Sequence, residues 1–340
     1  MRLFYYHSKH GNFGDDLNGW LWERLAPGQW DDRSDTLFSG IGTIIGNPMP
    51  PSSRTIVFSS GFGYSKIPAD WGSDRWVVAA VRGPLTARVL GLPAEAAVAD
   101  GALLLSMLEE LAPIPESERG NVIFIPHHTA LDFAGWQEAC DLAGVDLVDP
   151  REDSHQVIER IRTARLVIAD SMHAAIIADT LRVPWIPVAS SDQISTFKWL
   201  DWSMSLQVPY EPQRLPIPSI RGAFDSWAQR ISNSVNYLET PSSDFAMAHL
   251  QARIRGSDDA AMQRLAFRKK YLHKMPIRLM KRTTFKHFSS GLDARRVERT
   301  AQALAMHASR TGYLSDGAIL KAKAEELMMR LTKVTSGLLK

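Results

Sequence analysis

Val167-Ile168-Ala169-Asp170-Ser171-Met172-His173-Ala174-Ala175-Ile176-Ile177-Ala178 is the stretch that decides the fold class. A short apolar strand ends at Asp170, and Ser171 is suited to cap a helix that is otherwise apolar and carries His173 in its first turn. Strands this apolar lie in parallel sheets whose two faces are both covered. Upstream the pattern repeats: strand Val122–Ile125, helix Asp132–Leu142, strand Val145–Val148 and helix His155–Arg162. Downstream a helix to Leu181 leads to strand Trp185–Val188. The first hundred residues hold a second set, with strands Arg2–Tyr6, Thr55–Phe58 and Trp76–Val81. Helices are expected there at Asp15–Leu25, at Leu85–Leu90 and after Asp100-Gly101.

Pro113, Pro115 and the polar run Glu116–Gly120 read as a linker between the two sets. After Val208, Pro209, Pro212, Pro216 and Pro218 mark an extended crossing, and helical patterns are expected at Ser226–Leu238, Phe245–Ile254, Asp258–His273, Ala294–Thr311 and Leu314–Leu339. The expected architecture is an α/β chain with two Rossmann-like domains facing a cleft, over 1–115 and 116–212. A helical, basic C-terminal extension covers 213–340. Ligands of such sheets sit at the carboxyl ends of the strands.

Composition narrows the class of protein. Apolar residues make up 45% and charged residues 22% of 340, which excludes a mainly disordered chain. The formal net charge is +2, so bulk charge does not point to nucleic acid, and no nucleic-acid-binding module is evident. The lone Cys140 cannot form an internal disulfide or a multi-thiolate metal site. No apolar core of a signal peptide and no run of 18 apolar residues occurs, so a cytoplasmic protein is expected. Charge is uneven, however. Thirteen Lys and Arg face only Asp293 and Glu298 between Arg264 and Arg310, which leaves the remainder acidic. The 10 Trp suit either core filling, the more common use, or stacking on sugar rings.

Several strand ends carry chemistry. Gly11-Asn12-Phe13-Gly14-Asp15-Asp16-Leu17-Asn18 comes after the first strand, and a turn with a helix cap does not account for all four polar side chains at 12, 15, 16 and 18. Glycine loops at Ser39-Gly40-Ile41-Gly42-Thr43 and Ser59-Ser60-Gly61-Phe62-Gly63-Tyr64 line the same sheet edge, placing Gly40 and Gly61 toward a cleft ligand. Val81-Arg82-Gly83-Pro84 puts Arg82 at a strand mouth, suited either to a carboxylate or phosphate ligand or to pairing with a structural Asp such as Asp100. The helix start at Ser171–His173 offers free N–H groups to an anion. Lys198 comes after the next strand on the same edge. His127-His128 suits phosphate contact, and no third residue at metal-ligand spacing accompanies the pair.

Gly11–Asp16, Val81–Thr86, Asp100-Gly101 and Asp170-Ser171-Met172-His173-Ala174 together resemble the polysaccharide pyruvyltransferase family, including the ketal-pyruvyltransferases of succinoglycan and xanthan synthesis. The resemblance covers most of 1–205 and touches the helical tail around Ala301–Ala324. Many members carry Ser-x-Arg-x-His in the fourth motif; here Ser171-Met172-His173 lacks that Arg, so arginine contacts to the donor must come from elsewhere. The resemblance implies a GT-B-like fold, phosphoenolpyruvate as donor substrate, no cofactor and no metal. It also implies a lipid-linked oligosaccharide acceptor at the inner face of the membrane.

Ketal formation needs a general acid, a cation cluster and a base at the acceptor. On this reading His173 is the acid and Asp15 or Asp16 the base. Arg82 from the first domain and Lys198, Ser171, His127 and His128 from the second hold the donor, while Asn12, Asn18, Gly40 and Gly61 face the acceptor in the first. The basic, apolar-interleaved segment Phe267–Arg282 suits peripheral contact with an anionic membrane, against a solvated face or cleft contacts. A nucleotide-sugar glycosyltransferase on the same fold is the competing expectation.

Overall fold

The structure is a computed structural model that describes residues 1–64, 66–231, 236–256 and 283–338. Its first sheet contains β1 (Arg2–Leu3), β2 (Thr36–Ser39), β3 (Arg54–Phe58) and β4 (Trp76–Ala80), all parallel and in sequential order. Helices α1 (Phe13–Asp16) and α2 (Leu21–Leu25) cross from β1 to β2, and α3 (Pro84–Leu90) comes after β4. The single helix expected over Asp15–Leu25 is broken by a 3-10 turn at Leu17–Gly19. Gly19 weakens the helix interior, and Trp20 leaves helical geometry at φ −139°. Leu17, Leu21 and Trp22 are still fully buried, as their spacing predicts. Another difference from expectation is that β2–β3 and β3–β4 are joined by loops. Gly40, Gly42, Gly46, Pro48, Pro50 and Pro51 punctuate the first of them too heavily for a helix.

The second sheet is doubly wound. Strands β5 (Val122–Ile125), β6 (Asp146–Leu147), β7 (Leu166–Ala169), β8 (Trp185–Ala189) and β9 (Gln213–Arg214) run parallel in the order β6-β5-β7-β8-β9. Helices α4 (Trp136–Ala143), α5 (Ser154–Arg162), α6 (Met172–Thr180) and α7 (Thr196–Ser205) connect them. The winding reverses between β5 and β7, which makes their carboxyl ends the switch point where such sheets open a crevice. All nine residues of α6 are buried, as a helix apolar on every side requires.

The C-terminal helices complete the fold. They are α8 (Ile220–Ile231), α9 (Ser243–Gly256) and two longer helices at Thr283–Ala308 and Gly317–Thr335. Val297, Ala301 and Leu304 join the core beneath α4. Leu320, Ala324, Leu327 and Leu331 join the main core, and Arg330 donates to the carbonyls of Ala79 and Glu95 beside β4. The expected helix Asp258–His273 and the basic segment through Arg282 lie outside the described residues. No helix among the described residues is long and apolar enough to cross a membrane.

One apolar cluster runs through both sheets, from Phe38 and Val57 to Val167 and Trp185. A polar clasp reinforces that seam. Arg82, without exposed surface, donates from Nε to Asp201 on α7 at 3.0 Å and from Nη1 to Thr43 at 2.7 Å. Asp201 also accepts from the Thr86 amide and hydroxyl at 2.8 and 2.6 Å. The backbones meet so closely that a Cβ on Gly83 would lie 1.8 Å from the Asp201 carbonyl oxygen. Replacing Arg82 by Met strands a buried carboxylate and should cost about 3–5 kcal/mol of stability. Urea unfolding measures this, and a loss below about 1 kcal/mol would show that the pair is not a structural clasp.

Candidate active site

Beyond the carboxyl ends of β5 and β7 lies a cavity of about 370 Å³. His127 and His128 reach it from the β5 end, Ser171 and His173 from the β7 end, and Lys198 from α7. Asn12 and Asp15 reach it from α1 on the first sheet's side, and Thr43 and Tyr64 come from that sheet's loops. The cavity therefore lies between the two sheets.

Local structure explains how each group is held. Asp170 is fully buried and ties three strand ends together, accepting from the His127 amide at 2.9 Å and the Ser190 amide and hydroxyl at 3.0 and 2.6 Å. His127 is further oriented by Thr129, 2.8 Å from its Nδ1. Ser171 occupies the N-cap of α6 without a capping side-chain bond, and its side chain lines the cavity. Lys198 lies one turn into α7, where Ser195 accepts from its backbone N–H, and its ammonium donates to the Tyr64 hydroxyl at 3.0 Å. Asn12 caps α1 and donates its side-chain amide to Asp15, while Asp16 accepts from the Asn12 backbone N–H. The first sheet approaches so closely that a Cβ on Gly14 would fall 2.0 Å from the His173 Nδ1. Only glycine leaves room for the imidazole there.

Burial sets the protonation states. Desolvation raises Asp15 to about 7, helped by Asp16 and Asp100 and opposed by Lys198 and the Asn12 hydrogen bond. Desolvation lowers His173 to about 3, with Lys198 and Arg82 adding repulsion, and its Nε2 has no hydrogen-bond partner. Desolvation likewise lowers His127 to about 3, with His128 and Lys198 adding to it. The cavity thus presents an ammonium, unprotonated imidazoles and a carboxyl group half-protonated near neutrality.

The site residues expected from the sequence divide into two groups. His173, Asp15, Lys198, Ser171, His127, His128 and Asn12 come together around the cavity. Arg82, Asp16, Asn18, Gly40 and Gly61 are not among its lining residues. Arg82 is committed to Asp201, a partner not foreseen in place of Asp100. Asn18 is buried, donating to the Asp15 and Ile41 carbonyls and accepting from the Trp22 indole. Gly40 packs on Trp22 and Gly61 on the Arg82 guanidinium, so close approach within the fold explains both glycines. Tyr64, Thr43 and Trp199 also line the cavity, and the sequence motifs do not single them out. Tyr64 and Thr43 do end the two glycine loops, which is the signal that could have found them. Among the described residues no group of three His, Cys, Asp or Glu side chains is placed to hold a metal ion.

A cleft between two parallel sheets, with Lys198 and imidazoles at the switch point, defines an α/β protein with a candidate ligand crevice at its strand ends. The family model for polysaccharide pyruvyl transferase matches residues 25–192. The succinoglycan biosynthesis protein ExoV of Rhizobium meliloti (strain 1021) is 36% identical over 277 residues, which span 78% of this chain and 87% of that protein. No solved structure matches. The chain belongs to the polysaccharide pyruvyl transferase family.

The protonation states carry a sign that stability can read. Asp15 ionises near 3.8 in the unfolded chain but only near 7 when folded, so its ionisation opposes folding as pH rises through that window. His127 and His173 take up protons near 6.5 when unfolded and near 3 when folded, so they oppose folding as pH falls. Asp15→Asn should therefore raise the melting temperature relative to the parent, and by more at pH 8 than at pH 5. Equal shifts at the two values would contradict a buried, proton-holding Asp15.

Proposed function

We propose that the protein transfers a pyruvyl group from phosphoenolpyruvate to a sugar of an exopolysaccharide repeat unit, forming a cyclic ketal and releasing phosphate. The observation that carries this reading is the convergence of Lys198, His127, His128 and the α6 N-terminus on one cavity, in a chain of the pyruvyl transferase family. Phosphoenolpyruvate bears a carboxylate and a phosphate, and such a cavity can meet both charges. A two-domain, GT-B-like arrangement suits the reading, since it lets donor and acceptor enter one cleft from different sides. No cofactor or metal is needed for this chemistry.

The protonation states suggest how the proton steps divide. Asp15, held up to about 7, carries a proton near neutrality, whereas His173, held down to about 3, does not. This favours Asp15 as the acid and His173 as the base, the reverse of the assignment drawn from the motifs alone. Asp15 protonates the enol methylene, which leaves a cationic carbon. One sugar hydroxyl adds there and gives its proton to His173. Phosphate then departs with that proton, and a second hydroxyl closes the ring and returns a proton to Asp15. Two hydroxyl protons are lost; one ends on the new methyl group and one on phosphate.

Arg82 remains within electrostatic reach, since its charge is felt at His173, but its structural contribution is to hold α7 and hence Lys198. The acceptor on this reading is lipid-linked, and the basic segment Phe267–Arg282 would keep the enzyme near the anionic inner leaflet. Cosedimentation with anionic vesicles that is lost at high salt would support that contact. Salt-insensitive binding would contradict it.

Phosphate release from phosphoenolpyruvate, dependent on lipid-linked oligosaccharide, tests the activity. Turnover should fall roughly 10²–10⁴-fold in His173→Gln and Asp15→Asn while both stay folded. In the parent, kcat/KM should fall as pH rises through about 7, where Asp15 loses its proton. Transfer from a nucleotide sugar, with no use of phosphoenolpyruvate, would overturn the proposal.

A further inference from the structure

Most of the first-sheet residues expected to face the acceptor are taken up within the fold. Asn18, Gly40 and Gly61 are consumed by packing, and the Asn12 amide is bonded to Asp15. A second cavity, of about 210 Å³, instead opens beside the first and shares Thr129 and Gln193 with it. It lies between the loop after β5, the end of β8 and helix α8.

The two cavities differ in chemistry. The first holds an ammonium and imidazoles beside the Asp15 and Asp170 carboxyl groups. The second has no Lys, Arg or His among its lining residues, and its Asp132 pairs with Arg151 at 3.9 Å. It therefore offers an anion no lining cation. Ser190 and Ser226 give their hydroxyl protons to Asp170 and Asp192 at 2.6 and 2.7 Å, which leaves oxygen lone pairs available to accept from a ligand. Phe133 contributes a partly buried aromatic ring, one face of which lies under the Arg221 guanidinium at 5.5 Å. Hydroxyl acceptors beside an aromatic ring, with no lining cation, suit a neutral polyol with one apolar face.

We infer that this second cavity binds a neutral sugar ring of the acceptor, with the Thr129–Gln193 boundary as the passage to the donor cavity. The inference rests on the proposed pyruvyl transfer, which requires a sugar and an anion to meet at one centre. A ring seated there approaches the donor from the β8–α8 side, not from the glycine loops of the first sheet.

Saturation-transfer NMR on the full chain with the neutral disaccharides cellobiose and lactose tests it, alongside calorimetric titration with phosphoenolpyruvate. At least one disaccharide should show saturation transfer with the parent. Its signal should fall at least fivefold in Phe133→Ala and in Ser191→Trp, which fills the cavity, and persist in Lys198→Met. Phosphoenolpyruvate affinity should show the opposite pattern. The exposed Gln193→Ala provides a third variant that does not endanger the core, and it should weaken the disaccharide signal. No signal with the parent, or a signal unchanged in these three variants, overturns the subsite, as does displacement of the disaccharide by uridine. Disaccharide binding without phosphoenolpyruvate binding would instead contradict the donor assignment and leave the sugar site standing.

Discussion

The buried ion pair between Arg82 and Asp201 is the constraint on which the site's geometry depends. A guanidinium and a carboxylate without exposed surface are each costly to desolvate, and here each has further hydrogen bonds to complete it. The pair links the end of the first sheet to α7 of the second. Asp201 lies three residues after Lys198 on α7, so anchoring one end of that turn fixes where the ammonium enters the cavity. Thr86, which donates to Asp201, also accepts from the Phe62 amide and so ties down the glycine loop that ends at Tyr64. Tyr64 in turn accepts a hydrogen bond from the Lys198 ammonium. Two sheets, one helix and one loop are thereby held in register by a few polar contacts.

The same close approach creates the electrostatics. Because α1 lies against α6 with no room for a side chain at Gly14, His173 is buried beneath it, and Asp15 lies half-buried on the next residue. Desolvation acts on them in opposite senses, keeping the imidazole uncharged and holding the carboxyl half-protonated near neutrality, since both neutral forms are favoured. A cavity with little charge of its own beyond an ammonium is poised to gain protons when a polyanion arrives. On the proposed function, proton transfer and donor binding then share one set of groups.

How much of this was legible depends on distance along the chain. Strands β5, β7 and β8 and helix α6 were readable because unbroken apolar runs, short for strands and longer for helices, admit few placements. The two-residue, polar β9 carried no such run. His127, His173 and Lys198 were readable because strand ends of an open parallel sheet converge on one edge. Arg82 was ambiguous for a physical reason. An arginine at a strand mouth looks the same whether it awaits a ligand or a carboxylate 119 residues away, and Asp201 sits unremarked in a helical pattern. Gly40 and Gly61 carried the signature of a ligand loop, but their missing side chains make room for Trp22 and Arg82. The second cavity had no local signal at all, because three separate segments build it.

The central claim is that the cavity at the β5–β7 switch point is the donor site and that Lys198 is its principal charge. Calorimetric titration of phosphoenolpyruvate into the parent and into Lys198→Met tests this most directly, repeated in buffers of different ionisation enthalpy. The account predicts binding with net proton uptake near pH 7, weakened at least tenfold in the variant. Equal affinity in the two proteins, or binding without proton uptake, would contradict it.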